Sequence, residues 1–245
     1  MEEVISVSHV TKKFKVYFDK APNLKDKILF WKRNRHETRT VLDDISFSIK
    51  KGEAIGLIGS NGCGKSTTLK LLTKIIYPTE GTISVKGRVS ALIELGAGFH
   101  PDMSGRENIY INAAIFGLAR KEIDAKLDGI IAFSGLGEFI DNPVRTYSSG
   151  MYMRLAFAVA INVEAEVLFV DEILAVGDAA FQEKCFQKLI EIRDKGTTIV
   201  IVSHSLDQIE RICGRSIWIK DGKIQMDGKP ADVHRNYMEY MDGRS

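Results

Sequence analysis

The sequence has 245 residues, 44% hydrophobic and 27% charged, with 34 basic against 32 acidic side chains and a net charge of +2. That length suits one substantial domain, or a core with an inserted subdomain, and the near-neutral balance gives no electrostatic argument for a nucleic-acid partner. The cysteines Cys63, Cys185 and Cys213 are scattered and odd in number. They form neither a disulfide framework nor the paired spacing of a zinc site, and the expectation is free thiols in a reducing compartment.

The N-terminus, MEEVISVSHV, is acidic where a signal peptide is basic, and no apolar segment follows it. The longest apolar stretches, such as residues 155–161 and 199–202, fall far short of the roughly 20 residues of a membrane span. The expectation is a chain soluble by itself, with any membrane role supplied by a partner.

Residues 4–10 and 45–49 alternate in polarity, as half-exposed antiparallel strands near an edge do. An insertion over residues 18–39 separates them. There Leu24, Ile28, Leu29 and Trp31 form the apolar face of a short helix, with Phe30 at its margin and Lys25, Lys27, Lys32, Arg33, Arg35 and Arg39 as a basic flank. Ala54–Ile58, residues 167–170 and Thr198–Val202 are nearly continuous β-rich runs, expected of strands buried on both faces of a parallel sheet. A helical stretch over 179–195, ended by Gly196, makes the last two a strand–helix–strand unit. Residues 106–164 are mostly helical in pattern. Residues 216–219 and 223–226 flank Asp221-Gly222 as a hairpin with a type I′ turn, and a short helix over 231–241 follows.

Residues 59–66 read GSNGCGKS, followed by Thr67 and Thr68 and an amphipathic run over 67–75. Gly59, Gly62 and Gly64 let the backbone curl so that N–H groups of the loop through Ser60, Asn61 and Cys63 turn inward on phosphate oxygens. The N-terminus of the helix expected from Thr67, beside Lys65 and Ser66, adds its partial positive charge. Lys65 bridges the β and γ phosphates in this reading, and the Ser66 hydroxyl takes Mg²⁺, so ATP and Mg²⁺ are the expected ligands. Cys63 stands inside the loop, so alkylation should inhibit and ATP should protect.

A second apolar strand ends VLFVDE at residues 167–172. At the carboxyl end of a parallel strand, Asp171 is placed to hold Mg²⁺ and Glu172 to polarise the attacking water as general base. His204 follows the third apolar strand, in TIVIVSHSL, and is read as a contact to the γ-phosphate.

Residues 147–151 read YSSGM and open the helical run YMRLAFAVAINV. This resembles the LSGGQ signature of the ABC ATPase family, with Ser148 and Gly150 kept and Tyr147, Ser149 and Met151 departing from it. In that family the loop caps ATP held by the opposite subunit, which implies a homodimer with Ser148, Ser149 and Gly150 at the shared site. Asp178 stands where the family has its D-loop aspartate, with AVGD in place of SALD. The family also stacks an aromatic ring on adenine, a role open to Phe14 or Tyr17. Its Mg²⁺- and transporter-sensing glutamine falls at about Glu94, although alignment through Glu107 leaves one extra residue. The resemblance covers about residues 4–229 and implies a RecA-like α/β P-loop ATPase core (1–95 and 165–245) with an antiparallel β part and an inserted helical subdomain at about 96–164.

The stretches IELGAGFHPDMSGREN, YSSGM and DEILAVGD together are similar to one branch: ATP-binding subunits of exporters of lipid-linked polysaccharides (O-antigen, capsule, wall teichoic acid). Some members carry a C-terminal glycan-binding domain, and whether one belongs here stays open. The branch implies an ATP-hydrolysing subunit at the cytoplasmic face of the membrane, bound to an integral-membrane transporter subunit. The basic segment 18–39 then has a place beneath the membrane, where it would meet the phosphates of the lipid-linked glycan. Two other readings are an ATPase subunit of another ABC importer or exporter, and a soluble ABC ATPase of DNA repair or translation. Glu94 and the YSSGM variant argue against the first. The lack of sustained heptads between Lys65 and Asp171, and the single ATPase unit, argue against the second.

Overall fold

Two sheets organise the chain in a computed structural model that describes residues 2–17, 36–93, 95–171, 177–203 and 205–243. In the first, β1 (Glu3–Tyr17) pairs antiparallel with β2 (His36–Lys50). After β3 (Ala54–Ile58) and α1 (Lys65–Leu72), β4 (Glu80–Val85) pairs with the other edge of β1. The strands run well beyond the stretches 4–10 and 45–49 expected from alternation. Residues 11–17, TKKFKVY, supply β-forming Thr, Phe, Val and Tyr, and the ladder continues through Phe14↔Arg39 to Tyr17↔His36. Residues 36–39, assigned to the inserted segment, are therefore strand. Residues 18–35 lie outside the described residues.

The register shifts between Val7 and Lys12. His9 takes φ 50 there, and the irregularity is tied by His9 N–H donating to Ser46 Oγ at 2.8 Å and a contact of the same length between His9 Nδ1 and Asp44 Oδ1.

The second sheet has the order β5-β6-β7-β3-β8-β9, from β5 (Val89–Leu92), β6 (Val167–Asp171), β7 (Thr198–Val202), β8 (Arg215–Lys220) and β9 (Lys223–Gly228). All are parallel neighbours except the β8–β9 hairpin. Its turn has Asp221 and Gly222 at φ 48 and φ 78, the two positive values that a type I′ turn requires. β3 and β7 are buried along their whole length, which is why their sequences carry no alternation. One face of this sheet packs on the first sheet through Leu42, Ile49, Leu57, Phe169 and Val202.

Helices α2 (Gly105–Ile115), α3 (Arg120–Ser134) and α4 (Ser149–Ile161) share a separate apolar cluster with Ile109, Ile130 and Leu155 at its centre. Phe157, Ala160 and Ile161 of α4 instead join the cluster beneath the second sheet, with residues of α5 (Ala179–Asp194), α6 (Leu206–Ile212) and α7 (Pro230–Asp242). From Leu155 to Ile161 helix α4 is thus buried all round, and it links the helical region to the sheet. β4, β5 and α6 were not singled out from the sequence. They are short or strongly exposed, with burial that alternates in β4 and β5. Among the described residues no helix is long and apolar enough to cross a membrane.

Candidate functional site

The loop from Gly59 to Gly64 joins buried β3 to α1, and its glycines are required by geometry. Gly64 sits at φ +115, where a Cβ would lie 2.5 Å from Leu42 Cδ2 and 3.2 Å from Val41 O. Gly62 takes φ +77 with nothing within 4 Å of a built Cβ, so there the backbone turn and not packing selects glycine. Helix α1 starts without a side-chain cap, which leaves donors at its N-terminus for an anion. Lys65 is buried, and its Nζ donates to Gly59 O at 2.7 Å and Ser60 O at 3.2 Å. The ammonium is thereby folded over the loop that it would serve.

The Ser66 hydroxyl donates to Asp171 Oδ1 at 3.4 Å, across 105 residues of sequence. The parallel sheet makes this approach possible, because the carboxyl ends of β3 and β6 lie on one edge of it. A cleft of about 650 Å³ opens above them. Asn61, Gly62, Gly64, Lys65, Ser66 and Thr67 line one side, and Phe14, Arg39 and Val41 of the antiparallel sheet line the other. Among the described residues no group of three or more His, Cys, Asp or Glu could hold a metal by itself. One hydroxyl and one carboxylate fit Mg²⁺, which keeps waters and draws its other oxygens from phosphates. The residues therefore fit both a nucleoside triphosphate and its magnesium ion.

Ser60 and Cys63 border a smaller neighbouring cleft of about 440 Å³, with Asp221 and Gly222 of the β8–β9 turn. The Cys63 thiol is buried, and desolvation raises its pKa against the lowering influence of Lys65.

Ser148 is the N-cap of α4, its Oγ accepting from Met151 N–H at 3.2 Å, and Ser149 is the first helical residue. The helix thus begins inside the YSSGM stretch, earlier than the run after it indicated. A Cβ at Gly150 would meet only Ser148 Oγ, at 3.9 Å, so packing within this chain does not demand a glycine there. Neither Ser148, Ser149 nor Gly150 lines either cleft. Asp178 caps α5 by accepting from Phe181 N–H at 2.9 Å, and its other oxygen pairs with Arg154 of α4. The Arg154 guanidinium also lies 5.3 Å from the Phe181 ring centroid. Glu107 closes a capping box with Ser104, a local structural task.

Glu94, Glu172, His204 and the Tyr17 side chain lie outside the described residues. The residues before the first three, Ile93, Asp171 and Ser203, follow or end β5, β6 and β7. Those strands run side by side up to β3. Phe14, one of the two aromatic candidates, lines the larger cleft. Arg39, Val41 and Arg154 were not assigned to the site from sequence. Arg154 is one cation on an apolar helix, and Arg39 reads as part of a basic run until its strand register is known.

The ABC transporter family model matches residues 42–175. The chain is 53% identical over 220 residues to the O-antigen export system ATP-binding protein RfbB of Myxococcus xanthus, covering 88% of this chain but 50% of that relative. It is 46% identical to the RfbB of Klebsiella pneumoniae, covering 98% of this chain and 100% of the relative. The teichoic acids export ATP-binding protein TagH of Bacillus cereus is 39% identical over 98% of this chain and 43% of its own length. The chain therefore spans about half the length of some curated relatives and the whole of others.

An ATP-binding subunit of an ABC transporter superposes with TM-score 0.76 at 22% identity, covering 96% of this chain and 93% of its own. A dimeric post-hydrolysis ATP-binding cassette bound to ADP and Pi gives TM-score 0.73 at 20% identity, with coverages of 92% and 98%. These show that the α/β architecture is the ABC ATPase fold. With that family model spanning more than half of the residues and a relative at 46% identity over its whole length, this chain belongs to the ABC transporter family.

Proposed function

We propose that this chain is the ATP-hydrolysing subunit of an exporter that moves a lipid-linked polysaccharide across the cytoplasmic membrane. The observation that carries the ATPase half is the approach of Ser66 Oγ to Asp171 Oδ1 beneath the loop that Lys65 covers. The export half is supported by the names of relatives in O-antigen and teichoic acid export.

In this reading the loop amides and Lys65 orient the phosphates, while Phe14, which borders the cleft, stacks on adenine. Bound Mg²⁺, held by Ser66 and Asp171, supplies charge neutralisation at the phosphates. Glu172 accepts the proton of the attacking water, His204 hydrogen-bonds the γ-phosphate, and Glu94 senses the loaded site. Ser148, Ser149 and Gly150 lie away from their own chain's clefts, which suits donors offered to nucleotide on a second copy. Closure of that homodimer on ATP, and its release after hydrolysis, would pass to an integral-membrane partner through residues 96–107. Tyr152 Oη donates to Gly96 O at 2.8 Å, joining that stretch to α4. Residues 18–35 are the part of the inserted segment left to meet the phosphates of the cargo. Reversing Lys32, Arg33 and Arg35 should cut export while sparing the ATPase activity of the isolated subunit.

The test is recovery of partners on Glu172→Gln protein, loaded with Mg·ATP, from detergent-solubilised membranes. An integral-membrane partner is the expected result. Recovery of soluble partners or nucleic acid alone would overturn the export reading.

A further inference from the structure

The wall of the nucleotide cleft opposite the phosphate loop holds a cation that the ATPase motifs leave without a role. Arg39 lies in β2 as the ladder partner of Phe14 in β1. Directly opposed residues of an antiparallel pair share a face, so the aromatic ring and the guanidinium stand side by side above the loop. Arg39 borders both the 650 Å³ cleft and the 440 Å³ one, in each case with Val41, Asn61 and Gly62.

Charges on edge strands commonly do no more than keep the edge in water. Three observations set Arg39 apart from that case. Of the nearby cations, Lys12 Nζ donates to Tyr77 O at 2.6 Å and lies 5.0 Å from the Phe14 ring centroid, Lys13 pairs with Glu80 at 2.7 Å, and Lys15 lines neither cleft. Arg39, by contrast, has no hydrogen-bond, ion-pair or ring partner among the described residues. The residues lining the larger cleft include no carboxylate, and its other cation, Lys65, is already satisfied by two carbonyl oxygens.

We propose that Arg39 is a second phosphate-binding cation of this site, serving from the antiparallel sheet while Lys65 serves from the loop. The inference rests on the nucleotide reading above. A guanidinium fork matches two phosphate oxygens at once, which an ammonium does not. The bound nucleotide then bridges the two sheets, with its base on β1 and its phosphates held from both β2 and α1. Arg39 is thereby a positioning residue for the phosphate chain.

The experiment is equilibrium binding without turnover, on wild type, Arg39→Ala, Arg39→Gln and Arg39→Lys, with ATP and with inorganic triphosphate over a range of KCl. Loss of one charge-assisted phosphate contact should weaken ATP and triphosphate alike in the Ala and Gln variants, by about tenfold. Their affinity should also fall less steeply with salt than that of wild type, while Arg39→Lys recovers part of the loss. Arg39 is exposed, so melting temperatures should match wild type and exclude unfolding as the cause. Unchanged ATP affinity in Arg39→Ala would overturn the proposal. So would a loss of ATP affinity with triphosphate binding untouched, which would make Arg39 a support for the Phe14 ring. Failure of wild type to bind either ligand would overturn the nucleotide reading itself.

Discussion

Asp178 holds two partners at once, and they can be removed separately. One oxygen caps α5 at Phe181 N–H, 2.9 Å away, and the other meets Arg154 of α4. An N-cap replaced by alanine costs ~1 kcal/mol. With Asp178 60% and Arg154 29% exposed, solvent screening keeps the ion pair below ~1 kcal/mol. Asp178→Asn retains an oxygen for the cap and loses the charge, so it should destabilise by under ~1 kcal/mol. Asp178→Ala loses both, for about 1–2 kcal/mol, or a fall in Tm of roughly 2–8 °C in a chain of this size. Arg154→Ala forfeits the pair and its contact with the Phe181 ring, again ~1 kcal/mol.

The assay is urea unfolding of the three variants and of the Asp178→Ala, Arg154→Ala double variant, which isolates the coupling, alongside ATP turnover. The ion pair ties α4 to the start of α5. Asp178→Asn and Arg154→Ala should therefore slow turnover by similar factors. If asparagine proves as damaging as alanine, the capping argument is wrong. Zero coupling in the double-variant cycle would remove the pair from the working protein.

Glu172→Gln should bind ATP as wild type does yet release phosphate about 10²-fold more slowly or worse, and near-normal turnover would take the general-base role from Glu172. Gly64→Ala should abolish nucleotide binding, because its Cβ meets Leu42 at 2.5 Å in a backbone region closed to L side chains. Gly62→Ala has open space around it and should cost only ~1–2 kcal/mol of backbone strain; equal losses of ATP affinity would refute the distinction. Burial raises the Cys63 pKa, so less thiolate exists at pH 7 than for an ordinary cysteine. Alkylation should be slow at neutral pH, accelerate well into the alkaline range and slow again with ATP bound. Labelling at the rate of a free thiol, or insensitivity to ATP, would count against both the burial and the site.

The sequence by itself determined what depends on short-range chemistry. Three glycines, a lysine and a serine between a strand and a helix specify a phosphate loop, because only glycine enters its positive-φ positions without strain. The unbroken Val and Ile runs of β3 and β7 mark strands covered on both faces, and Asp221-Gly222 sets its hairpin turn. The tertiary structure alone decided which distant residues meet. A one-residue slip of β1 on β2 would turn Phe14 to the opposite face, and nothing in the polar alternation of 11–17 marks the register that sets it across from Arg39. Strand order likewise brings Asp171 beside Ser66, and the packing of α4 against α5 joins Arg154 to Asp178. Such contacts arise from sheet order and helix packing, which local propensity does not encode, and they convert separate motifs into one site.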